Sequence, residues 1–233
     1  SLLIRKTHSE LTRKKMGHKI NPISNRIPLT SAWQSRWFGG NKFKLYLVAD
    51  FKIRDFIQKK LNNAGVKSVT IIRSRDKLAI EVVTSKPGLV IGRGGQGIGE
   101  LKAQVQQMFY PSGVPAIRID IIEDRNPELS AELVAQNIGN QIERRIPYRR
   151  ACKQALEKTM AKNAKGIKII VSGRLNGAEI ARTEKFQTGS IPLSRFNINI
   201  DHAVYHAKTT YGVTGVKVWI NMGPHQTVNE EDK

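Results

Sequence analysis

The pattern of hydrophobic and polar residues changes period several times after Lys42, and each change predicts a new element. A helix is predicted with Asp50 as its N-terminal cap and Gly65 at its end. Its apolar residues recur at helical spacing and predict one buried face, made of Ile53, Phe56, Ile57 and Leu61. Two β-branched runs follow at 66–72 and 78–84, and residues 75–77 are predicted to join them as a hairpin.

A glycine-rich segment at 92–95 interrupts this pattern after the breakers Pro87 and Gly88. A second helix is predicted from Gln96 to Tyr110, because apolar residues recur along it at helical spacing. These residues are Ile98, Leu101, Val105 and Met108. A strand at 116–122 completes the order helix, strand, strand, loop, helix, strand, which predicts a compact α+β domain over residues 42–123.

The second half of the chain predicts another α+β domain, over residues 124–223. Asn126 is a predicted helix cap, and Pro127 is the first predicted helical residue. The apolar side of that helix is predicted to hold Leu129, Leu133, Ile138 and Ile142. Pro147 should break it and begin a further helix. Strand-like runs at 166–172, 181–187, 196–207 and 215–221 predict a mainly antiparallel sheet, and 224–233 form a polar tail.

Residues 1–41 predict a basic, extended segment, since prolines and the pair Gly39-Gly40 punctuate them. The first 54 residues hold 12 basic side chains and two acidic ones, so we expect this segment to lie on a phosphate-rich partner. Trp33 and Trp37 are expected to be packing anchors. Residues 1–15 could be a presequence or an extension upstream of Met16, and we favour the extension.

Net charge narrows the class of partner. The 233 residues contain 39 Lys and Arg against 19 Asp and Glu, a formal charge of +20 that a polyanion would neutralise. We therefore expect a nucleic acid partner. A membrane is not expected, because neither a long apolar span nor a basic helix with a broad hydrophobic face is evident. The single cysteine, Cys152, excludes an internal disulfide and any CxxC site, and we expect no metal and no cofactor.

The segment Gly92, Arg93, Gly94 and Gly95 is a candidate binding loop. Glycines allow the backbone to approach a ligand closely, and Arg93 favours a negative one, as in the loop with which KH domains clamp nucleic acid. The glycines at 92, 94 and 97 also satisfy the dinucleotide-binding pattern, which would make the protein an enzyme. That alternative is disfavoured, because only residues 89–91 could form the preceding strand and no acidic residue stands about 20 residues later.

The helix after Pro147 predicts a second candidate surface. On a helical wheel, Arg149, Arg150 and Lys153 fall on one face, while Ala151, Cys152 and Thr159 fall opposite. Arg144 and Arg145 extend this cluster at the preceding turn. Residues 141–168 hold nine cations and two anions, so we interpret the face as a phosphate-binding surface rather than an ordinary solvated one.

Other chemistry has little support in the sequence. Aromatic residues make up 6% of the chain and form no cluster for stacking bases, which favours recognition of the RNA backbone. His202 and His206 match no metal-binding spacing and are expected to be structural, and Cys152 is expected to be a core residue.

Four segments carry a resemblance to a known family: 16–22 (MGHKINP), 87–92 (PGLVIG), 172–182 (SGRLNGAEIAR) and 209–220 (TTYGVTGVKVWI). With these segments the chain resembles the bacterial type of small-subunit ribosomal protein three from Met16 to about Gly223. The resemblance implies a type II KH domain followed by a second α+β domain, both bound to ribosomal RNA in the head of the small subunit. It implies a structural protein and not an enzyme, on a bacterial cytoplasmic ribosome or an organellar one.

The resemblance also implies roles for particular residues. Arg149, Arg150 and Lys153, with Arg144 and Arg145 beside them, match the residues with which the family lines the channel for incoming messenger RNA and helps to open structured messenger. The expected neighbours are the fourth, fifth, tenth and fourteenth small-subunit proteins. We further predict ribosomal RNA contacts at five cations, Lys19, Arg26, Arg36, Arg174 and Arg182.

Three departures from the family pattern qualify these expectations. The loop reads Gly-Arg-Gly-Gly, which has one cation fewer than the loop of a typical family member. Pro147 interrupts the basic cluster. Residues 1–15 have no counterpart in a typical family member. A free-standing KH regulator that binds particular single-stranded sequences is the remaining alternative, and the charge and scarcity of aromatic residues argue against it.

Overall fold

The structure, a computed structural model, describes residues 20–27, 29–74, 77–110 and 116–224. Several predictions lie outside the described residues: the extension at 1–15, the RNA contact of Lys19, the hairpin turn at 75–76 and the tail from residue 225.

The first unit follows the predicted order with one additional helix. Helix α1 (Phe43–Lys60) leads through a short 3-10 turn to Gly65, whose φ of 66° turns the chain into the sheet. Strands β2 (Val66–Arg73) and β3 (Lys77–Thr84) pair antiparallel, as a hairpin should. A short helix that was not predicted, α2 (Pro87–Ile91), precedes the glycine loop and α3 (Gln96–Phe109), and β4 (Ala116–Glu123) then pairs parallel to β3.

The core of this unit lies between the helices and one face of the sheet. Alternate residues of β2 and β3 are buried against apolar residues of α1 and α3, including Ile53, Ile57, Leu101 and Val105. Met108 was predicted to join this face but is 59% exposed. The prediction was wrong because Phe109 packs on the core in the last turn of α3, which leaves Met108 on the side facing solvent.

Asp50 is not a helix cap, and that prediction was wrong. Helix α1 begins seven residues earlier, at Phe43, and Asp50 is fully buried inside it. Its carboxylate accepts hydrogen bonds from Ser35 Oγ (2.9 Å), Trp37 Nε1 (2.7 Å) and Arg73 Nε (2.9 Å). A buried carboxylate needs such partners, so Asp50 serves as the point to which the N-terminal segment is attached.

The strap, by which we mean the described residues 20–27 and 29–42, touches both units. Within the strap, β1 (Ser35–Arg36) adds a short parallel strand to β2 and completes a sheet of order β1-β2-β3-β4. Of the two predicted packing anchors, Trp37 packs against Phe43 and Tyr46, with ring centroids 5.4 and 5.5 Å apart. Trp33 is 65% exposed and is not an anchor.

Arg26 lies at the other end of the strap and is only 1% exposed. Its guanidinium donates to carbonyl oxygens within the strap and in the 193–198 segment: those of Pro22 and Ile198 at 2.9 Å, Arg195 at 2.9 Å and Leu193 at 3.3 Å. Burial lowers the pKa of this guanidinium. The prediction that Arg26 contacts RNA is therefore corrected: its donors are used inside the protein.

The second unit places two helices on one face of a four-stranded antiparallel sheet. Helices α4 (Ala131–Glu143) and α5 (Tyr148–Ala161) meet at the break beside Pro147. The strands are β5 (Gly166–Gly173), β6 (Arg182–Gly189), β7 (Ile198–Thr209) and β8 (Gly212–Pro224), in the order β6-β5-β8-β7. Ala135, Ile138 and Ala151 of the helices pack on Ile167, Ile169 and Val218 of the sheet.

The start of α4 differs from the prediction. Residues Pro127–Leu129 form a 3-10 turn, α4 begins at Ala131, and the Asn126 side chain makes no capping hydrogen bond. The Ala131 N–H instead donates to Asp201 Oδ2 of β7 at 2.7 Å. A carboxylate distant in sequence thus replaces the local cap that residue spacing predicted.

The predicted α+β fold is confirmed: a first unit of helices packed on a four-stranded sheet is followed by two helices on an antiparallel sheet. The two units also touch directly: Gln136 Nε2 donates to the Val66 carbonyl at 3.0 Å, and Lys67 pairs with Asp124 at 3.0 Å. A helix with the length and apolar character needed to cross a membrane does not occur in the described part of the chain.

Candidate nucleic-acid interface

The glycine loop lies on the surface between α2 and α3. Gly92, Arg93 and Gly94 are exposed, and the φ angles of Gly94 and Gly95 are 61° and 79°, a conformation that favours glycine. A Cβ added at Gly94 or Gly95 would meet no atom within 4 Å, so open space surrounds both. The loop runs into the N-terminus of α3, where the helix dipole and free N–H groups favour an anion such as a phosphate.

Gly97 explains why the loop also matches the dinucleotide-binding pattern. A Cβ at this position would lie 2.4 Å from the Val90 carbonyl oxygen, so only glycine allows α3 to lie this close to α2. The preceding element is the helix Pro87–Ile91 and not a buried strand. The third glycine therefore serves packing between two helices, and the loop is not built as a dinucleotide site.

Helix α5 presents the predicted basic face. Arg149, Arg150 and Lys153 are exposed on it, while Ala151, Cys152 and Thr159 on the opposite side are 0% exposed. The packed back holds the helix against the sheet, so the three cations are displayed from a rigid element. Cys152 is the core residue predicted, and burial raises the pKa of its thiol to about 12.

Glu184 of β6 holds Arg149 in place. The Tyr148 hydroxyl donates to Glu184 Oε1 at 2.7 Å, and Arg149 donates through Nη2 to Oε1 at 3.0 Å and through Nε to Oε2 at 3.3 Å. Arg182 Nε lies 3.4 Å from Oε1, and Arg182 Nη2 donates to the Tyr148 hydroxyl at 3.2 Å. Two predicted RNA-binding arginines thus share one carboxylate.

The pairing of Glu184 with Arg149 favours the charged form of both groups. Hydrogen bonds from Arg149 and Tyr148 lower the pKa of Glu184, and the hydrogen bond to Glu184 raises the pKa of Arg149. The Arg149 side chain remains 64% exposed and is accessible to a phosphate. Sequence reasoning did not find Glu184, because the pairing joins positions 35 residues apart and alternation within β6 is its only local signal.

Arg144 and Arg145 occupy the turn between α4 and α5. Both are exposed, and Arg145 has a φ of 62°, which places it in the left-handed region. The turn closes through hydrogen bonds from Arg145 N to the Ile142 carbonyl (2.9 Å) and from Ile146 N to the Gln141 carbonyl (3.0 Å). Pro147 thus redirects the chain, and the two arginines flank the basic face of α5 without belonging to its helix.

The remaining predicted contacts belong to different elements. Arg36 is exposed on β1. Arg174 is exposed after β5, where Nε donates to the Ala178 carbonyl at 3.0 Å and the guanidinium lies 5.9 Å from the Tyr211 ring centroid. Arg182 joins the Glu184 cluster. The structure therefore brings Arg182 to the basic face of α5 and leaves Arg36 with the strap.

His202 and His206 lie on β7, and among the described residues neither has the neighbouring ligands that a metal site requires. His202 packs against Trp219 with ring centroids 4.9 Å apart, and burial lowers its pKa. His206 is exposed. Across the described ranges no group of three His, Cys, Asp or Glu side chains could hold a metal ion.

Comparison with known proteins matches both units. The family described as KH domain matches residues 52–129, and the family described as Ribosomal protein S3, C-terminal domain, matches residues 138–220. Curated relatives share similarity along nearly the whole chain, and each of the following three is named small ribosomal subunit protein uS3.

The relative from Caldanaerobacter subterraneus subsp. tengcongensis is 46% identical over 209 residues, 89% of this chain and 93% of its own length. That from Flavobacterium johnsoniae is 46% identical over 208 residues, 89% of this chain and 81% of its own length. That from Thermodesulfovibrio yellowstonii is 44% identical over 217 residues, 92% of this chain and 99% of its own length. The family resemblance read from the sequence is confirmed: this chain belongs to the family of small ribosomal subunit protein uS3, a family of structural proteins rather than enzymes.

Proposed function

We propose that this protein is a structural constituent of the small ribosomal subunit that binds ribosomal RNA in the subunit head and guides incoming messenger RNA along α5. Membership of the family supports the ribosomal role and RNA binding. The observation that carries the messenger role is the rigid display of Arg149, Arg150 and Lys153 on one exposed face of α5. Arg144, Arg145 and Arg182 extend this positive surface.

The mechanism is electrostatic. Phosphates of a single strand exchange their counterions for the cations of α5, and a strand held in this way is kept from pairing again once a hairpin has opened. The ribosome's own translocation supplies the work of unwinding, and the arginines hold the opened strand. Such contacts neutralise charge without reading bases, so the surface should accept any messenger sequence.

The KH loop is proposed to hold ribosomal RNA. Its exposed glycine backbone and the N-terminus of α3 suit a phosphate group, with Arg93 adding the charge. Arg36 on the strap and Arg174 after β5 are proposed to make further backbone contacts, since both are exposed.

An apolar face on α1 is proposed to contact neighbouring small-subunit proteins, of which the tenth and fourteenth are the expected ones. Leu47, Val48 and Phe51 of this helix are 49%, 47% and 70% exposed, and Phe38 of the strap is 97% exposed. An apolar surface of this kind is typical of an interface between proteins and unlike the charged surfaces that meet RNA. The fourth and fifth proteins are proposed to complete the messenger channel beside α5.

The channel role is tested with the triple variant Arg149→Ala, Arg150→Ala and Lys153→Ala in reconstituted translation. We expect small subunits to assemble normally, because all three side chains are exposed and none belongs to the core. Translation through a stable hairpin should slow several-fold, while translation of an unstructured messenger should keep its rate. Each removed cation should lower the salt dependence of RNA binding by roughly one unit of slope.

The matched control removes three lysines at the end of α5 and beyond it, Lys158→Ala, Lys162→Ala and Lys165→Ala. These side chains are also exposed, so the two variants lose the same charge. If the control slowed hairpin translation as much as the basic-face variant, net charge rather than the face of α5 would explain the effect. Equal rates on both messengers for the basic-face variant would refute the channel role.

A further inference from the structure

A cavity of about 380 Å3 lies beside the α4–α5 turn, next to the basic face but distinct from it. Three segments line it: the turn itself, residues 174–177 after β5, and the turn between β7 and β8. The last two belong to the long segments 172–182 and 209–220 that carry the family resemblance. Arg182, at the far end of the first segment, reaches the basic face of α5, whereas residues 174–177 and the β7–β8 turn line the cavity instead. The fold brings both segments to one cavity.

The cavity combines an apolar lining with a cationic rim. Its hydrocarbon surface comes from Ile142, Ile146, Pro147 and Leu175, and its charge from Arg145, Arg174 and Lys208, which are exposed. The acidic residue at the rim is Glu143, whose Oε1 already accepts the Lys208 backbone N–H at 2.9 Å. Apolar walls beside several positive charges suit a flat organic group that carries an anion.

Tyr211 supplies an aromatic ring that is fixed in position and still accessible. An added Cβ at Gly177 would lie 3.0 Å from the ring, so the ring packs on the Gly177 backbone. The Arg174 guanidinium lies 5.9 Å from its centroid and donates to the Tyr211 carbonyl at 3.4 Å. Tyr211 is nevertheless 56% exposed, which leaves ring surface available for stacking.

The backbone of the cavity is strained where it meets the rim. Three non-glycine residues of the described chain have positive φ, and two of them, Arg145 (62°) and Asn176 (55°), line this cavity. Such conformations cost free energy and concentrate at ligand sites.

We propose that this cavity binds one unpaired nucleotide of an RNA strand, with the base against Tyr211 and the apolar lining and the phosphate at the cationic rim. The aromatic ring and hydrocarbon walls recognise a base, and the arginines recognise the adjoining phosphate. The inference rests on the proposed function only in that the ligand is RNA, and either messenger or ribosomal RNA could supply the nucleotide. The proposed cavity would contact a base, whereas the other predicted contacts of this protein are with the RNA backbone.

Isothermal titration of the purified full chain with adenosine 5′-monophosphate and with ribose 5-phosphate tests the proposal. Both probes carry the same sugar and phosphate, so general attraction to the +20 charge contributes equally. We expect the nucleotide to bind roughly 5- to 160-fold more tightly, the range that stacking of one base on an aromatic side chain provides. Equal affinity for the two probes would overturn the proposal.

Variants show whether the preference comes from this cavity. Tyr211→Ala should abolish it and Tyr211→Phe should retain it, with circular dichroism showing that both fold. Arg150→Ala, outside the cavity, should leave the preference unchanged while weakening binding of longer RNA. A preference that survives Tyr211→Ala would place the base elsewhere and refute the assignment.

Cross-linking in assembled ribosomes identifies the strand. With 4-thiouridine in the messenger alone, a cross-link to the peptide containing Tyr211 shows that the cavity binds messenger RNA. With the label in ribosomal RNA alone, the same cross-link shows that the cavity binds ribosomal RNA. No cross-link from either strand would refute a role in the ribosome. If the α5 triple variant translated hairpins normally while the nucleotide preference persisted, the channel proposal would fail and the cavity proposal would stand.

Discussion

Glu184 shows how one carboxylate can organise a positive surface at the scale of single residues. It accepts hydrogen bonds from Tyr148 and Arg149 and lies 3.4 Å from Arg182 Nε. This pairing orients two cations, but a phosphate must share Arg149 with the carboxylate or displace it. Glu184 should therefore weaken RNA binding while improving its geometry.

Glu184→Gln keeps the size and one acceptor oxygen of the side chain and removes its charge. We expect tighter binding of an unstructured RNA oligonucleotide at low salt, with a steeper salt dependence of up to about 0.7 units of slope as Arg149 takes a phosphate. A salt titration of the binding constant measures both. Glu157→Gln, on α5 beside Arg150 and Lys153, makes the same charge change without the hydrogen bonds to Arg149, and its effect should be smaller. Equal effects would mean that the pairing is irrelevant to binding.

Cys152 provides a pH-dependent test of the packed back of α5. Burial raises the pKa of its thiol to about 12, so at pH 8 only roughly one molecule in ten thousand carries the reactive thiolate. We expect no reaction with a thiol reagent at pH 8 in the native protein and complete reaction in denaturant. Because the folded pKa lies above the unfolded one, this group favours the folded state below about pH 8.5 and loses that contribution as the pH rises toward 12. Rapid labelling of the native protein would contradict the burial of Cys152 on the packed side of α5.

At the level of secondary-structure elements, the conformation of the glycine loop depends on how closely helices α2 and α3 pack. Gly97 permits this approach, because a Cβ at this position would lie only 2.4 Å from the Val90 carbonyl oxygen. The positions of Gly94 and Gly95, and hence the exposed backbone offered to a phosphate, follow from it.

Gly97→Ala should separate the two helices and lower the free energy of unfolding by about 1–3 kcal/mol, the usual cost of overpacking. RNA binding through the loop should weaken as well. Gly99→Ala is the matched control, since Gly99 also lies in α3 but an added Cβ would meet no atom within 4 Å. Gly99→Ala should raise the free energy of unfolding by roughly 0.5–1 kcal/mol, because glycine is less favourable than alanine within a helix. Urea denaturation distinguishes the two, and an unchanged stability of Gly97→Ala would show that the contact can relax.

The strap decides how the two units are joined at the scale of the whole molecule. Its β1 strand pairs with β2 in the first unit, and Asp50 holds Ser35 and Trp37 there. At its other end Arg26 binds the carbonyl groups of residues 193, 195 and 198 in the second unit. These contacts hold the KH loop and the basic face of α5 in a fixed position relative to each other.

Arg26→Met removes the donor from these buried carbonyl groups and should lower the free energy of unfolding by about 1–3 kcal/mol. Thermolysin, which cleaves at apolar residues and so loses no site in either variant, should then cleave the strap faster in the folded protein. Arg36→Met, an exposed arginine of the same strap, should leave stability and cleavage nearly unchanged while weakening RNA binding. A strap that resists thermolysin equally in both variants would show that Arg26 is not its anchor.

Periodicity, composition and motifs were enough to predict the order and type of most elements, the fold class, the family and the opposed basic and buried faces of α5. Those features depend on periodicity and local composition, which do not require contacts between residues distant in sequence. Tertiary structure decided the burial of Arg26, the interior place of Asp50 in α1, the cap that Asp201 supplies to α4, and the pairing of Glu184 with Arg149. Each of these satisfies a buried or partly buried polar group with a partner far along the chain, and only the folded molecule brings the two together.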